Sequence, residues 1–305
     1  MYYYAWYGYN PSKKMELKAP TIQGTKEISV VIPVRNNQIG ISRFLLTFFN
    51  KCMSTSLPRE VIIVRDHGTP ITVPEECRTY GTEVKVLDSE GTGPASARNF
   101  GYRNAKGNWI LFTDSDCIPS STLLDGYIRA SNGSVGYAGA VASFGKDIIS
   151  RYYESQSILV PSATYNNNVY SPDYLITANS LVWKDAFELV GGFDEEIQIA
   201  AGEDVDLGFR LREIGQLSFA PTSVVFHDFD NGLVGFVKRF IRYGSGNRQL
   251  AKRYSLAIKP RPFKPANNNF ANAMLASLQY LSMLWGWQSS NKFTHNRYNG
   301  LKNRG

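Results

Sequence analysis

The feature that most constrains the fold is a regular alternation of short apolar runs with helical patterns between residues 28 and 112. The first run, ISVVIPV from Ile28 to Val34, is almost continuously apolar, as expected of a strand covered on both faces. Apolar side chains then recur at helical spacing, and the runs EVIIV, VKVL and WILF repeat the pattern. Buried strands separated by helices are typical of a mostly parallel sheet with right-handed crossovers. We therefore predict an α/β fold of the nucleotide-binding type.

Composition narrows the class of protein. The 305 residues are 43% hydrophobic and 19% charged, which is ordinary for a globular chain. Three cysteines without C-x-x-C spacing indicate neither a disulfide framework nor a zinc knuckle, and they favour a reducing compartment. No apolar run reaches the roughly 18 residues of a spanning helix, and residues 1–10 lack the pattern of a secretory signal. We expect a cytoplasmic location, with peripheral attachment at the inner face of the membrane as a further option.

Peripheral attachment to a membrane is suggested by an uneven distribution of charge along the chain. The net charge is +7, yet no acidic residue follows Asp230, and residues 231–305 carry 13 Lys and Arg. The preceding residues have 20 basic against 26 acidic side chains. Phe236, Phe240 and Tyr243 lie among the cations, as in segments that bind an anionic membrane surface. Further on, apolar side chains from Met274 to Trp285 recur at helical spacing, and for this last helix ordinary packing onto the body is the alternative.

Two aspartates, Asp114 and Asp116, directly follow the run WILF. Ligands of open α/β sheets bind beyond the carboxyl ends of the strands, where this pair is expected. Residues i and i+2 of an extended segment point to the same side, so both carboxylates can face one small volume. A divalent cation would relieve their repulsion and could in turn bind a diphosphate. Alternatively, Asp114 caps a turn and Asp116 is solvated.

Four stretches carry a resemblance to a known family. They are ISVVIPVRN, VIIVRDHGT, GTGPASARNFGYRNAKGNWILFTDSDCIPS and VGGFDEEIQIAAGEDVDLGFRLREIG. In order and spacing they resemble the family 2 glycosyltransferases of the GT-A fold. The resemblance implies metal-dependent, inverting transfer of a sugar from a nucleotide diphosphate sugar, with a UDP-sugar as the expected donor. It divides the chain into an N-terminal extension at 1–26, a catalytic domain at 27–230 with a nucleotide half at 27–119 and an acceptor half at 120–230, and a basic extension at 231–305.

The same resemblance assigns the donor site. It implies that Asp114 faces the ribose and that Asp116, with His227, ligates Mn²⁺ or Mg²⁺ in a D-x-D motif. Asn36 and Asn37 depart from the family, which usually has an acidic residue there, so the identity of the base stays open. The other residues expected at the nucleotide are Pro33, Val34, Arg35, Asp66, Arg98 and Ser115.

For three of these residues a structural role is an open alternative. Asp66 is also a common turn residue, and Arg98 could be a surface cation in an ordinary ion pair. A lone histidine such as His227 is often a hydrogen-bonded structural residue.

The acceptor side is assigned through the segment GEDVDLGFR. Inverting transfer needs a base that takes the proton of the acceptor hydroxyl, and the family motif places it at Asp204. Asn179, Trp183 and Glu203 are expected near the acceptor. Acids at a helix start also complement the helix dipole, and Trp183 could belong to the core, which leaves structural alternatives.

The expected function is therefore a single-addition transfer to a glycan or lipid-linked acceptor in cell-surface glycan or polysaccharide synthesis. The chain lacks the Q-x-x-R-W signature of processive synthases. The rival enzyme is a phosphatase of the haloacid dehalogenase type with Asp114 as nucleophile, although here three strands precede the aspartate pair. No nucleic-acid partner is expected, because no recognition motif accompanies the basic residues.

Overall fold

The computed structural model describes residues 16–51, 57–89, 93–166, 169–197, 199–229, 232–267 and 269–301. Residues 1–15, which make up most of the expected N-terminal extension, lie outside this description.

Within the described ranges, eight strands form one mixed sheet, and two more form a hairpin. The sheet strands are β1 (Ile28–Val34), β2 (Glu60–Arg65), β3 (Glu83–Asp88), β4 (Trp109–Thr113), β5 (Cys117–Pro119), β6 (Gly136–Ser143), β9 (Asn179–Trp183) and β10 (Leu217–His227). The hairpin consists of β7 (Ala163–Asn166) and β8 (Val169–Pro172). Across the sheet the strands lie in the order β3-β2-β1-β4-β9-β6-β10-β5. The helices are α1 (Gln38–Lys51), α2 (Pro94–Arg103), α3 (Leu123–Ala130), α4 (Ile148–Ser155), α5 (Lys184–Leu189), α6 (Glu203–Ile214), α7 (Gly232–Tyr254) and α8 (Phe270–Leu301).

The first four strands pair in parallel, as the alternating sequence pattern predicts. The other half of the sheet differs, because β9 inserts antiparallel between β4 and β6, and β5 pairs antiparallel with β10. After β4 the chain crosses to β10, where Cys117 pairs with His227. This crossing carries Asp114 and Asp116 from the middle of the sheet towards its far edge.

Helices cover both faces of the sheet. Val30 and Ile32 of β1 pack with the α1 side chains Phe44 and Phe48 on one face. Val31 points to the opposite face, where it packs among residues of α2 and α5. Burying both faces of β1 explains why its sequence is apolar without alternation.

The basic extension folds against the body. Phe236 and Phe240 of α7 are buried in a cluster with Tyr152 and Tyr153 of α4 and with Leu275 of α8. The prediction that Phe236 and Phe240 face a membrane is therefore wrong, since a packed protein core covers them. Among the described residues, no helix has the length and the apolar character needed to cross a membrane.

Candidate active site

A cavity of about 560 Å³ lies beyond the carboxyl ends of β1, β2 and β4. It is bounded on the other side by the start of α6, the end of β10 and one face of α7. The predicted site residues that line it are Pro33, Val34, Arg35, Asp66, Arg98, Asp114, Ser115, Asp116, Glu203, Asp204 and His227.

Asn179 and Trp183 do not line the cavity, so their predicted acceptor contacts are corrected. Asn179 is buried, accepts a 2.7 Å hydrogen bond from the Tyr127 hydroxyl, and donates through Nδ2 to the Ala140 carbonyl at 2.9 Å. Trp183 pairs with Trp109 at the opposite end of β4. The polar groups of Asn179 hold neighbouring elements together, and Trp183 is too far along the strand to reach the site.

Arg98 joins the two acidic clusters of the cavity. Its side chain is buried, which rules out the alternative of a surface cation. Nη2 donates to Asp114 Oδ1 at 2.7 Å, and Nη1 donates to Glu203 Oε1 at 2.9 Å. Burial of a guanidinium is tolerated when it is paired and hydrogen-bonded, as it is here on two sides. The arrangement fixes Asp114 and Glu203 relative to each other.

Asp116 and His227 form a second pair, with Asp116 Oδ1 3.4 Å from His227 Nε2. His227 Nδ1 lies 3.1 Å from the Asp228 carbonyl oxygen, so the proton belongs on Nδ1 and Nε2 keeps its lone pair. Burial lowers the pKa of His227, against the opposing charge of Asp116, and so favours the neutral imidazole.

A neutral imidazole and a carboxylate suit a divalent cation such as Mn²⁺. Cys117 lies within the same cluster of possible ligand atoms. Burial raises the pKa of its thiol, and Sγ donates to the Ala178 carbonyl, so Cys117 does not offer a thiolate. Asp116 and His227 are thus the side chains of this cluster that fit a metal ion.

Asp204 stands at the start of α6, next to Glu203. Gly202 precedes them with a φ of +97°, a left-handed conformation that favours glycine and turns the chain into the helix. Burial raises the pKa of Asp204; the charge of Arg98 opposes this, and that of Asp114 adds to it. Burial also raises the pKa of Glu203, and Asp204 adds to that effect against Arg98. A carboxylate with a raised pKa is a better proton acceptor once it is ionised.

The two asparagines that depart from the family pattern form hydrogen bonds between the loops that border the cavity. Asn37 Nδ2 donates to Ser115 Oγ at 3.0 Å, and Asn36 Oδ1 accepts from the Thr69 amide at 2.9 Å. Asp66 Oδ1 accepts from the Gly93 amide at 3.2 Å, which links the end of β2 to the start of α2. These bonds order the turn residues that the sequence predicts around a nucleoside.

One wall of the cavity was missed by the sequence analysis. Arg239, Arg242, Tyr243 and Asn247 line it from α7. Their spacing of i, i+3, i+4 and i+8 shows in the sequence as one helix face. Since the same pattern suits a membrane-facing helix, the spacing did not reveal what the face contacts.

The family of this chain follows from its similarity to known proteins. The sequence profile described as glycosyl transferase family 2 matches residues 29–188, more than half of the chain. The chain belongs to this family. The resemblance of the four sequence stretches to this family is thus confirmed.

Among its relatives within glycosyl transferase family 2, the pre-mycofactocin glycosyltransferase of Mycobacterium tuberculosis is 31% identical over 251 residues. The match includes 78% of this chain and 50% of the relative, so the chain spans about half the length of that protein.

Solved structures confirm the GT-A fold. A mannosyltransferase from Pyrobaculum calidifontis, in complex with GDP-Man and Mn²⁺, has a TM-score of 0.54 at 17% identity over 91% of this chain and 76% of its own. GalNAc-T7 with UDP, GalNAc and Mn²⁺ has a TM-score of 0.53 at 15% identity over 87% of this chain and 56% of its own.

Proposed function

We propose that this glycosyltransferase moves a sugar from a nucleotide diphosphate sugar to an acceptor hydroxyl with inversion, in a single displacement. The observation that carries the proposal is the link through Arg98. It brings Asp114, next to Asp116, and Glu203, next to Asp204, to one cavity. Inverting transfer needs two such negative sites, one for the leaving diphosphate and one for the base.

Asp116 and His227 would hold Mn²⁺ or Mg²⁺ at the donor. When bound, such a cation would offset negative charge on the leaving diphosphate. The Mn²⁺ complexes of the Pyrobaculum mannosyltransferase and of GalNAc-T7 support this part of the proposal. In this proposal Asp114, held by Arg98, faces the ribose, and Asp66 contacts the base.

Asp204 is the general base of the proposal. Glu203 is engaged by Arg98, so Asp204 is the carboxylate of the pair with more freedom to face an acceptor. The hydroxyl oxygen bonds to the anomeric carbon while the bond from that carbon to the phosphate oxygen breaks. Asp204 takes the hydroxyl proton, and the nucleoside diphosphate leaves with the electron pair. Glu203 then acts by positioning Arg98 and Asp114.

The finer assignments extend the same proposal. The donor is a UDP-sugar, one sugar is added per acceptor, and the acceptor is a glycan or a lipid-linked precursor of a cell-surface polysaccharide. Family membership favours sugar transfer over the phosphatase alternative at Asp114. The pairing of Asp114 with Arg98 also makes it a weaker nucleophile than that alternative needs.

Peripheral membrane attachment would use α8 rather than the buried aromatic residues of α7. Phe270, Met274, Leu281 and Trp285 are exposed and recur at i, i+4, i+11 and i+15, which is one helix face. The extension around them carries no acidic residue. An apolar face among cations suits an anionic lipid surface.

The test of the proposed function separates donor binding from transfer. The protein is titrated calorimetrically with UDP-, GDP- and dTDP-sugars in Mn²⁺ and after chelation, and transfer is measured with the donor that binds. Asp116→Asn should lose donor affinity, because it removes a ligand of the cation. Asp204→Asn should bind the donor normally and transfer 10²- to 10⁴-fold more slowly, the usual cost of losing a general base.

Lys238→Gln, on the exposed side of α7, is the control and should leave both quantities unchanged. Near-normal turnover by Asp204→Asn would remove Asp204 from the base role. A product that retains the anomeric configuration of the donor would exclude the single displacement.

A further inference from the structure

The cavity face of α7 has no role in the catalytic site proposed for this chain, and it lies outside the residues matched by the family profile. Along this face Tyr243 lies about one turn after Arg239, and Asn247 lies about one turn after Tyr243. The segment from Arg239 to Asn247 spans about 12 Å of helix. The face is therefore long enough to border a ligand over a large part of its length.

Arg239 lies at the metal end of the cavity. Its guanidinium is 4.9 Å from the centre of the Phe229 ring and 5.4 Å from that of Tyr153. Phe229 in turn stacks on His227, with the ring centres 4.4 Å apart. The cation also interacts electrostatically with Asp116. Arg239 is thus held beside the two residues that fit a divalent cation.

Asp116 acts on Arg239 only at longer range, and Arg239 forms no ion pair in the part of the chain that the structure describes. Its side chain is 9% exposed, and no carboxylate of the described residues lies within 4.0 Å of its nitrogens. Arg98, buried in the same cavity, has two such partners. A buried cation is costly unless an anion compensates it, so the site favours an anionic ligand next to Arg239.

Asn247 lies at the other end, next to the acidic start of α6. The neighbouring Gly246 packs so closely on Ala201 that an added Cβ would come within 2.4 Å of the Ala201 carbonyl oxygen. Asn247 is 8% exposed, and its Nδ2 has no hydrogen-bond partner among the described residues. A buried amide donor that lines a polar cavity needs an acceptor, such as a hydroxyl oxygen.

We propose that this face of α7 binds the sugar diphosphate part of the donor. Arg239 binds the phosphate that carries the sugar, and Asn247 donates a hydrogen bond to a hydroxyl oxygen of that sugar. The inference rests on the proposed function, because it takes the ligand to be a nucleotide diphosphate sugar. According to this proposal, Arg239 makes the protein bind a nucleoside diphosphate more tightly than a monophosphate. Asn247 makes it bind the sugar nucleotide more tightly than the diphosphate without a sugar.

The experiment for Arg239 compares ligands that differ in phosphate number. Uridine, UMP and UDP, and the guanosine series in parallel, are titrated in Mn²⁺ against wild type, Arg239→Gln and Lys238→Gln. Arg239→Gln should bind the diphosphate about 10- to 100-fold more weakly, the effect expected of one charge-assisted hydrogen bond. Binding of the nucleoside and the monophosphate should stay within about threefold of wild type, which also shows that the variant is folded.

Lys238→Gln removes a neighbouring positive charge that faces away from the cavity, and should match wild type with every ligand. Equal losses for nucleoside, monophosphate and diphosphate in Arg239→Gln, or no loss at all, would overturn the assignment. If wild type binds no diphosphate of either base, the proposed function fails before the role of α7 is reached.

The experiment for Asn247 uses the best binder among UDP-glucose, UDP-N-acetylglucosamine and GDP-mannose, together with its nucleoside diphosphate. Asn247→Ala should weaken the sugar nucleotide about 3- to 10-fold and leave the diphosphate unchanged, because the lost hydrogen bond involves the sugar. Unchanged affinity for the sugar nucleotide would overturn this half of the proposal. An equal loss for both ligands would also overturn it, since the residue would then support the pocket without contacting the sugar.

Discussion

Arg98 is buried on α2, and its guanidinium lies between Asp114 and Glu203. Arg98 and the carboxylates around it set the charge state of Asp204. Arg98 favours the ionised form of Asp204 and Asp114 opposes it, while Glu203 accepts a hydrogen bond from the same guanidinium and so takes up part of its charge. Around Arg98, one buried guanidinium is therefore balanced against the three carboxylates of Asp114, Glu203 and Asp204.

That balance predicts a shift in the pH dependence of transfer. A base works only when ionised, so turnover should fall as the pH drops through the raised pKa of Asp204. Glu203→Gln removes one negative neighbour and leaves more of the charge of Arg98 to act on Asp204. Both effects lower the pKa of Asp204, so the acid limb of the kcat profile should move towards lower pH.

The measurement is kcat against pH at saturating donor and acceptor. Glu75→Gln, which removes an exposed carboxylate that does not line the cavity, should leave the profile in place. A shift of the acid limb to higher pH in Glu203→Gln would contradict the electrostatic account.

Helices α7 and α8 meet through glycines. A Cβ on Gly244 of α7 would come within 2.0 Å of the Met283 carbonyl oxygen, and one on Gly286 of α8 would come as close to that of Ile241. The contacts involve backbone atoms, which cannot rotate away as side chains do. This close crossing holds the buried aromatic cluster together and sets the position of the cavity face of α7.

Gly244→Ala should therefore force the two helices apart. We expect a loss of about 1–3 kcal/mol in the free energy of unfolding, the usual cost of overpacking, measured by urea denaturation. Gly24→Ala is the control, because a Cβ at Gly24 meets nothing within 4 Å and its φ of −178° is open to any residue. If Gly244→Ala unfolds at the same urea concentration as wild type, the close crossing does not limit stability.

The charge of the whole molecule is divided between an acidic body and a basic extension, and the extension packs on the body by its aromatic side chains. Some of its cations are used internally, as Arg253 pairs with Asp194 and lies 3.3 Å from Asp206. The exposed face of α8 remains the surface on which the proposed contact with lipid depends.

Vesicle flotation tests this contact. The protein should float with vesicles that contain phosphatidylglycerol more than with pure phosphatidylcholine vesicles. The triple variant Met274→Ser, Leu281→Ser and Trp285→Ser should bind at least about tenfold more weakly, because it removes the apolar area that lipid would bury. Ile39→Ser with Leu189→Ser, which changes exposed apolar residues elsewhere, should float like wild type. Equal flotation with both kinds of vesicle would exclude an electrostatic contribution.

The fold of the first half was predictable from the sequence because its signals are local. An apolar run such as Ile28–Val34 identifies a strand buried on both faces wherever that strand lies in the sheet. The motifs around Asp114 and Asp204 likewise identified side chains that the fold brings to one cavity. The family and the position of the site can therefore be read from the amino-acid sequence by itself.

Other features depend on contacts between residues that are distant in the chain, which a local pattern does not encode. The antiparallel insertion of β9 buries Asn179 and takes Trp183 away from the cavity, although both lie in a family-like segment. The pairing of Arg98 with Glu203 joins residues 105 positions apart. The apolar and basic pattern of α7 is the same whether its partner is lipid or protein, and packing against α4 turned its other face towards the cavity.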